Sequence, residues 1–145
     1  MQRVTRAQVT VEDRVVAKIG PGVVLLVGVS HDDDHDDSRW LADKVANLRI
    51  FSDEQGRMNR ALLESGGEAL VVSQFTLLGD ARKGRRPSFI HAAQGADANE
   101  LYLEVAERLG GLGIRCSTGE FGAMMDVELV NQGPVTILLD SKRAF

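Results

Sequence analysis

The sequence predicts an α+β fold: one domain over residues 1–145, with an antiparallel or mixed sheet curled toward a barrel and two main helices. Three observations carry this reading. Short alternating or apolar runs broken by turn residues crowd the first thirty positions. Two later stretches repeat apolar residues at helical spacing. Further short apolar runs follow each of those stretches, as an α+β sheet requires. A chain of 145 residues, 43% of them hydrophobic, has the size and the apolar content of one domain with its own core.

The elements follow in order. Gln8 to Val11 alternates polar and apolar and reads as a half-buried strand; Arg14 to Ile19 reads as a second. Gly20-Pro21-Gly22 is a turn, and Val23 to Val27 is too apolar for a wetted face, so it is a central strand. Three strands this close together imply an antiparallel meander. The acidic run from Ser30 to Ser38 precedes Leu41, Val45 and Leu48, which recur at helical spacing; its carboxylates suit a helix N-terminus. Phe51 to Asn59 reads as a loop, Glu68 to Phe75 as a buried strand, and Gly79 to Ser88 as an exposed basic loop. Asp97 and Glu100 form a candidate capping pair for a second helix, striped by Leu101, Val105 and Leu109 and ended by Gly110-Gly111. Ile114 to Ser117, the alternation of Met125, Val127 and Leu129, and Val135 to Leu139 supply the last strands. There is no internal repeat, linker or low-complexity segment.

Composition narrows the setting. The single cysteine, Cys116, fits a reducing compartment. No apolar run nears the roughly 20 residues of a membrane span, and the first residues lack a secretory pattern. A cytoplasmic protein is expected, with no membrane partner. A net charge of −4 argues against broad nucleic-acid binding, so any RNA contact must come from a local basic patch. The densest such patch is Arg82, Lys83, Arg85 and Arg86, which alone would read equally as a solvated loop.

Familiar catalytic signatures are missing: no Gly-x-Ser-x-Gly elbow, no His-Glu-x-x-His, no phosphate-binding glycine loop. His31 and His35 lie among aspartates, which reads either as a metal site or as an acidic loop that starts a helix. Cys116 reads as a nucleophile or, beside a strand, as a small core residue. No cofactor and no metal are implied. An enzyme built this way relies on backbone groups or on its substrate.

Two segments remain. Ser73-Gln74-Phe75-Thr76 follows a buried strand, and by local pattern is a strand end with a packed Phe75. Asn131-Gln132-Gly133-Pro134 is, by local pattern, a hairpin turn between strands; its Gly-Pro bond admits the cis form at about 0.5–1 kcal/mol. With their surroundings they closely resemble the D-aminoacyl-tRNA deacylase family. The likeness extends through Gln2-Arg3-Val4, Asn47 to Phe51, Gly56, Met58-Asn59, Arg86 to Phe89, Gly119 to Ala123 and Met125. Each piece is weak alone; their shared order and spacing are specific.

The resemblance implies that family's barrel-like fold and a homodimer that hydrolyses the ester of D-aminoacyl-tRNA and of glycine mischarged on tRNA, sparing L-aminoacyl-tRNA. It further implies a cis Gly133-Pro134 that enters the partner's site to face Ser73 to Thr76, with Arg3 fixing the pair's orientation and Asn131 supporting it. Backbone N–H groups around Gln74 and Phe75 are the candidate oxyanion donors. Thr76 is open to two roles, nucleophile or positioning group. Phe75 lines the pocket near the terminal adenine or packs in the core. The patch at Arg82, Lys83, Arg85 and Arg86 is expected against the tRNA acceptor end.

Overall fold

The computed structural model describes residues 1–144. The strand β1 (Gln2–Val11) turns through Glu12-Asp13, both at positive φ, into β2 (Arg14–Ile19). A two-residue link with positive φ at both positions matches the twist of an antiparallel hairpin. The chain continues through Gly20-Pro21 into β3 (Gly22–Val27). The expected meander is not formed. Val9 pairs with Ala17, Ala7 with Ile19, Val4 with Gly22 and Gln2 with Val24, all in one register. Thus β2 and β3 are two halves of one long partner for β1, and Gly20-Pro21 interrupts a strand without reversing it.

The helix α1 (His35–Asn47) starts at Asp34, whose carboxylate accepts from the Asp36 and Asp37 backbone N–H groups while the Asp37 side chain accepts from the Asp34 N–H. The acidic run thus serves the helix N-terminus. The region read as a loop after it is a hairpin, β4 (Arg49–Ser52) and β5 (Met58–Ala61), whose tip is tied by the Asp53 carboxylate to the N–H groups of Gln55 and Arg57. Met58, Asn59 and Arg60 are all exposed, so no apolar alternation betrays this strand. A single turn, α2 (Leu62–Ser65), leads to β6 (Glu68–Ser73), then a 3₁₀ turn at Phe75–Leu78. The long helix α3 (Gly95–Gly111) begins at Gln94 with no side-chain cap, three residues before Asp97; the expected Asp97–Glu100 pair is not used. Short β7 (Cys116–Thr118) and long β8 (Asp126–Thr136) complete the chain.

The sheet runs β2-β1-β3-β6-β7, with β8 on the other edge of β1. β6 is parallel to both β3 and β7, and the β1 pairings are antiparallel, so the sheet is mixed. It curls until β2 comes back against β6 and β7, giving a nearly closed barrel. Period-2 alternation then sorts the side chains. Val24, Leu70 and Val72 point into the curl with Val4, Val9 and Ile19. Val23, Leu25, Val27, Ala69 and Val71 point outward beneath α1 and α3. Burial on both faces explains the unbroken apolar run of β3. Among the described residues, no helix is long and apolar enough to cross a membrane.

Candidate functional site

Ser73 lies where β6 leaves the sheet. The Gln74 N–H donates to Val27 O at 2.7 Å, locking the exit to the end of β3. Gly28 permits this approach, since a β-carbon there would meet Leu78 Cδ2 at 2.5 Å and Gln74 O at 3.1 Å. The chain then tightens into the Phe75–Leu78 turn, whose first N–H groups have no intrahelical acceptor. The sequence-based placement of oxyanion donors therefore shifts by one residue. The Gln74 N–H is committed to Val27, whereas those of Phe75 and Thr76 have no protein acceptor among the described residues.

Side chains complete this edge. Gln74 Nε2 donates to Thr76 Oγ1 at 2.7 Å, and no carboxylate or imidazole is bonded to that hydroxyl among the described residues. Phe75 is half-exposed and meets Phe89 edge-on, with ring centroids 5.1 Å apart. It is not a core residue. Ser73, Gln74, Phe75 and Thr76 line one wall of a cleft of about 500 Å³. The other walls are the start of α3 (Gly95, Ala98) and the segment Phe121 to Met125 with Val127. Apolar surroundings with a few aimed donors suit a small organic group attached to a larger polar body. No role for these walls was legible in the sequence: Gly119 to Ala123 and Met125 entered only through the family likeness, and Met125 with Val127 as a strand.

Gly133 and Pro134 do not line this cleft. They sit exposed in β8, joined by a cis peptide bond. The hairpin turn expected there is instead a bulge within one strand. Val4 pairs with Asn131 and Gln2 with Thr136, so two steps along β1 match five along β8. The bulge is tied from both sides. Asn131 Oδ1 accepts from the Val135 N–H at 2.7 Å, and its Nδ2 donates to Thr136 Oγ1 at 3.0 Å. Arg3 donates to Gln132 O at 3.2 Å and to Ile50 O at 2.6 Å. Gly133 has φ of +129°, and a β-carbon would crowd Val135 and Arg3, so glycine is required.

The basic loop is held by paired backbone bonds between Asp80 and Ser88 and follows the 3₁₀ turn directly in the chain. Arg82 forms a two-pronged pair with Asp80, which holds that carboxyl far below its ordinary range. Lys83, Arg85 and Arg86 are exposed and have no carboxylate partner among the described residues. The histidine-rich loop is otherwise occupied: His35 Nδ1 lies 2.7 Å from Glu104 and Nε2 lies 3.7 Å from Glu100. Burial pushes the Cys116 thiol up to about 11, which suppresses the thiolate.

The whole chain is similar to proteins of one kind. Residues 1–140 match the family model described as D-Tyr-tRNA(Tyr) deacylase. The D-aminoacyl-tRNA deacylase of Thermomicrobium roseum is 62% identical over 141 residues, covering 97% of this chain and 92% of that one. That of Symbiobacterium thermophilum is 56% identical over 145 residues, covering 100% and 96%. A solved structure described as a c-Myc DNA Unwinding Element Binding Protein superposes with a TM-score of 0.89 at 39% identity, covering 97% of this chain and 95% of that one. A probable eukaryotic D-amino acid tRNA deacylase shares the fold at a TM-score of 0.77 and 18% identity, covering 92% of each chain. The family match and these relatives together define a carboxylic ester hydrolase acting on aminoacyl-tRNA. Within that class, the chain belongs to the D-Tyr-tRNA(Tyr) deacylase family, and its activity is D-aminoacyl-tRNA deacylation.

Proposed function

We propose that the Ser73–Thr76 cleft hydrolyses the ester between a D-amino acid, or glycine, and the terminal ribose of tRNA, and excludes L-amino acids by shape. One observation carries this reading: among the described residues the Phe75 and Thr76 N–H groups stand unpaired at the cleft edge, beside a Thr76 hydroxyl that already accepts a bond from Gln74. Ester attack puts negative charge on the carbonyl oxygen, and two fixed donors answer that charge. Thr76 has no base bonded to it among the described residues, which supports a positioning role, with water as nucleophile and the neighbouring ribose hydroxyl assisting.

D and L substrates carry the same groups, so selection needs a clash on the L side. The Gly133-Pro134 backbone suits that task. Its carbonyls accept from an ammonium group, proline offers no competing N–H, and glycine allows close approach. Glycine as substrate has no side chain to clash and is cleaved. Because this pair does not line its own chain's cleft, the reading requires a homodimer in which it enters the partner's cleft. Arg3 and Asn131 then aim the gate, while Lys83, Arg85 and Arg86, with Arg82 braced on Asp80, hold phosphates of the acceptor end. A cytoplasmic setting, beside the translation machinery, belongs to this reading.

The test offers D-Tyr-tRNA, L-Tyr-tRNA and Gly-tRNA to the purified protein. Release of tyrosine from the D substrate and of glycine, with the L ester intact, is expected. Equal cleavage of D and L esters would refute exclusion by shape, and binding without release would make the chain an RNA-binding module.

A further inference from the structure

The cleft is a fork. Its two prongs are β6, which runs on into Ser73–Thr76, and β7, which runs on through Gly119 into Phe121–Met125. The strands stay paired as far as Val71 and Thr118, then part. At the branch point the Gly119 N–H still donates to Val71 O at 3.0 Å, but the Gly119 carbonyl has left the ladder. One buried hydroxyl stands there. Tyr102, on α3 and 1% exposed, shares its one proton between Val71 O at 3.2 Å and Gly119 O at 3.4 Å, and the Thr118 side chain bonds to the same hydroxyl.

We propose that the Tyr102 hydroxyl is a positioning residue for deacylation: it pins the fork where β6 and β7 part and so sets the width of the cleft. This rests on the reading of the Ser73–Thr76 cleft as the reacting site.

Three features support it. First, Tyr102 shares a helix with Ala98, which lines the cleft one turn earlier, so the pin ties three walls together. Second, the Tyr102 ring lies tilted against that of the wall residue Phe121, with centroids 6.1 Å apart. Third, Gly119 leaves room for Met125 to fold over it; a β-carbon there would meet Met125 Sδ at 2.8 Å. The wall is thus seated directly on the residue that the hydroxyl holds. Burial raises the phenol above its ordinary range, so it remains a donor at physiological pH. The Val71 carbonyl keeps the Gly119 N–H if the hydroxyl is lost. The Gly119 carbonyl has no other partner among the described residues and would seek one by moving.

Tyr102→Phe keeps the ring and deletes the pin. Its control is Ser38→Ala, which removes another buried hydroxyl, bonded to Leu101 O at 3.1 Å between α1 and α3, away from the fork. We expect Tyr102→Phe to lower kcat on D-Tyr-tRNA about tenfold with KM changed less than about twofold. Its unfolding midpoint should match that of Ser38→Ala, whose kcat is unchanged. Amide hydrogen exchange should quicken in 119–125 and stay unchanged in the β1–β2 hairpin. Unchanged exchange in 119–125 would overturn the pin. Faster exchange with unchanged kcat would refute the positioning role while the pin itself stood; the cleft reading fails separately, if the wild-type protein does not release tyrosine from D-Tyr-tRNA. A kcat loss shared by Ser38→Ala, or failure of Tyr102→Phe to fold, would reduce Tyr102 to a core residue.

Discussion

Thr76 is the residue on which the proposed mechanism turns. Its oxygen accepts from Gln74, and no general base is bonded to it among the described residues. A threonine nucleophile needs such a base. Replacing Thr76 with alanine should therefore slow turnover by less than about a hundredfold, the scale of losing one positioned polar group, and leave a measurable hydrolysis rate. Loss of all single-turnover activity would restore the nucleophile role. Cys116 gives a second prediction at this scale. Its folded value of about 11 lies above the 9.0 of a free thiol. The protonated form is favoured by folding, so this contribution to stability is complete below 9.0 and lost as pH rises through about 11. Alkylation of the folded protein at about pH 8.5 should be slower than in urea by about tenfold or more, and a rate equal to that of the unfolded chain would refute this.

Elements are joined at two points that can be tested. The first is the parallel contact of β3 with β6. A β-carbon on Gly22 would collide with the backbone of Glu68, which cannot give way without breaking the ladder. Gly22→Ala should cost about 3 kcal/mol or more in urea unfolding. The second is the junction of α1 with α3, where His35 sits between Glu104 and Glu100, with Arg39 beside Glu104. The hydrogen bond and charge of Glu104 raise the His35 value above 6.5. Protonation is thus favoured by folding. The stabilisation is complete below 6.5 and disappears as pH rises through the higher folded value. The wild-type urea midpoint should fall as pH rises above 6.5, and His35→Gln should flatten that fall. Equal slopes in the two proteins would show the pair to be inert.

At the scale of the whole molecule, the cleft and the Gly133-Pro134 bulge occupy different places in one chain. A shared site makes a prediction that one chain cannot satisfy alone. Gly133→Ala should disable the gate, and Ala123→Trp should fill the cleft. Each homodimer should be inactive. Mixed and refolded together, half of the dimers are hybrids, and each hybrid has one intact site. Deacylation should recover to about a quarter of the wild-type rate. No recovery in a sample shown to contain hybrids would refute sharing.

Sequence by itself determined the elements whose burial is regular. The runs of β3 and β6 and the stripes of α1 and α3 carry their period in the chain, because each faces apolar neighbours along its length. It also determined the family, since the segments Ser73–Thr76 and Asn131–Pro134 keep a specific order with their surroundings. It did not reveal the β4–β5 hairpin, whose second strand is exposed at its first three residues, Met58 to Arg60, nor that β2 and β3 are one interrupted strand, because a Gly-Pro pair looks the same in a bend as in a turn. Tertiary structure alone decided which N–H groups stay free, since the Gln74 donor is claimed by Val27, a partner 47 residues earlier in sequence. It likewise made Gly133-Pro134 a bulge of β8: the pairing partner is β1, at the far end of the chain, and no local pattern near residue 133 encodes that strand.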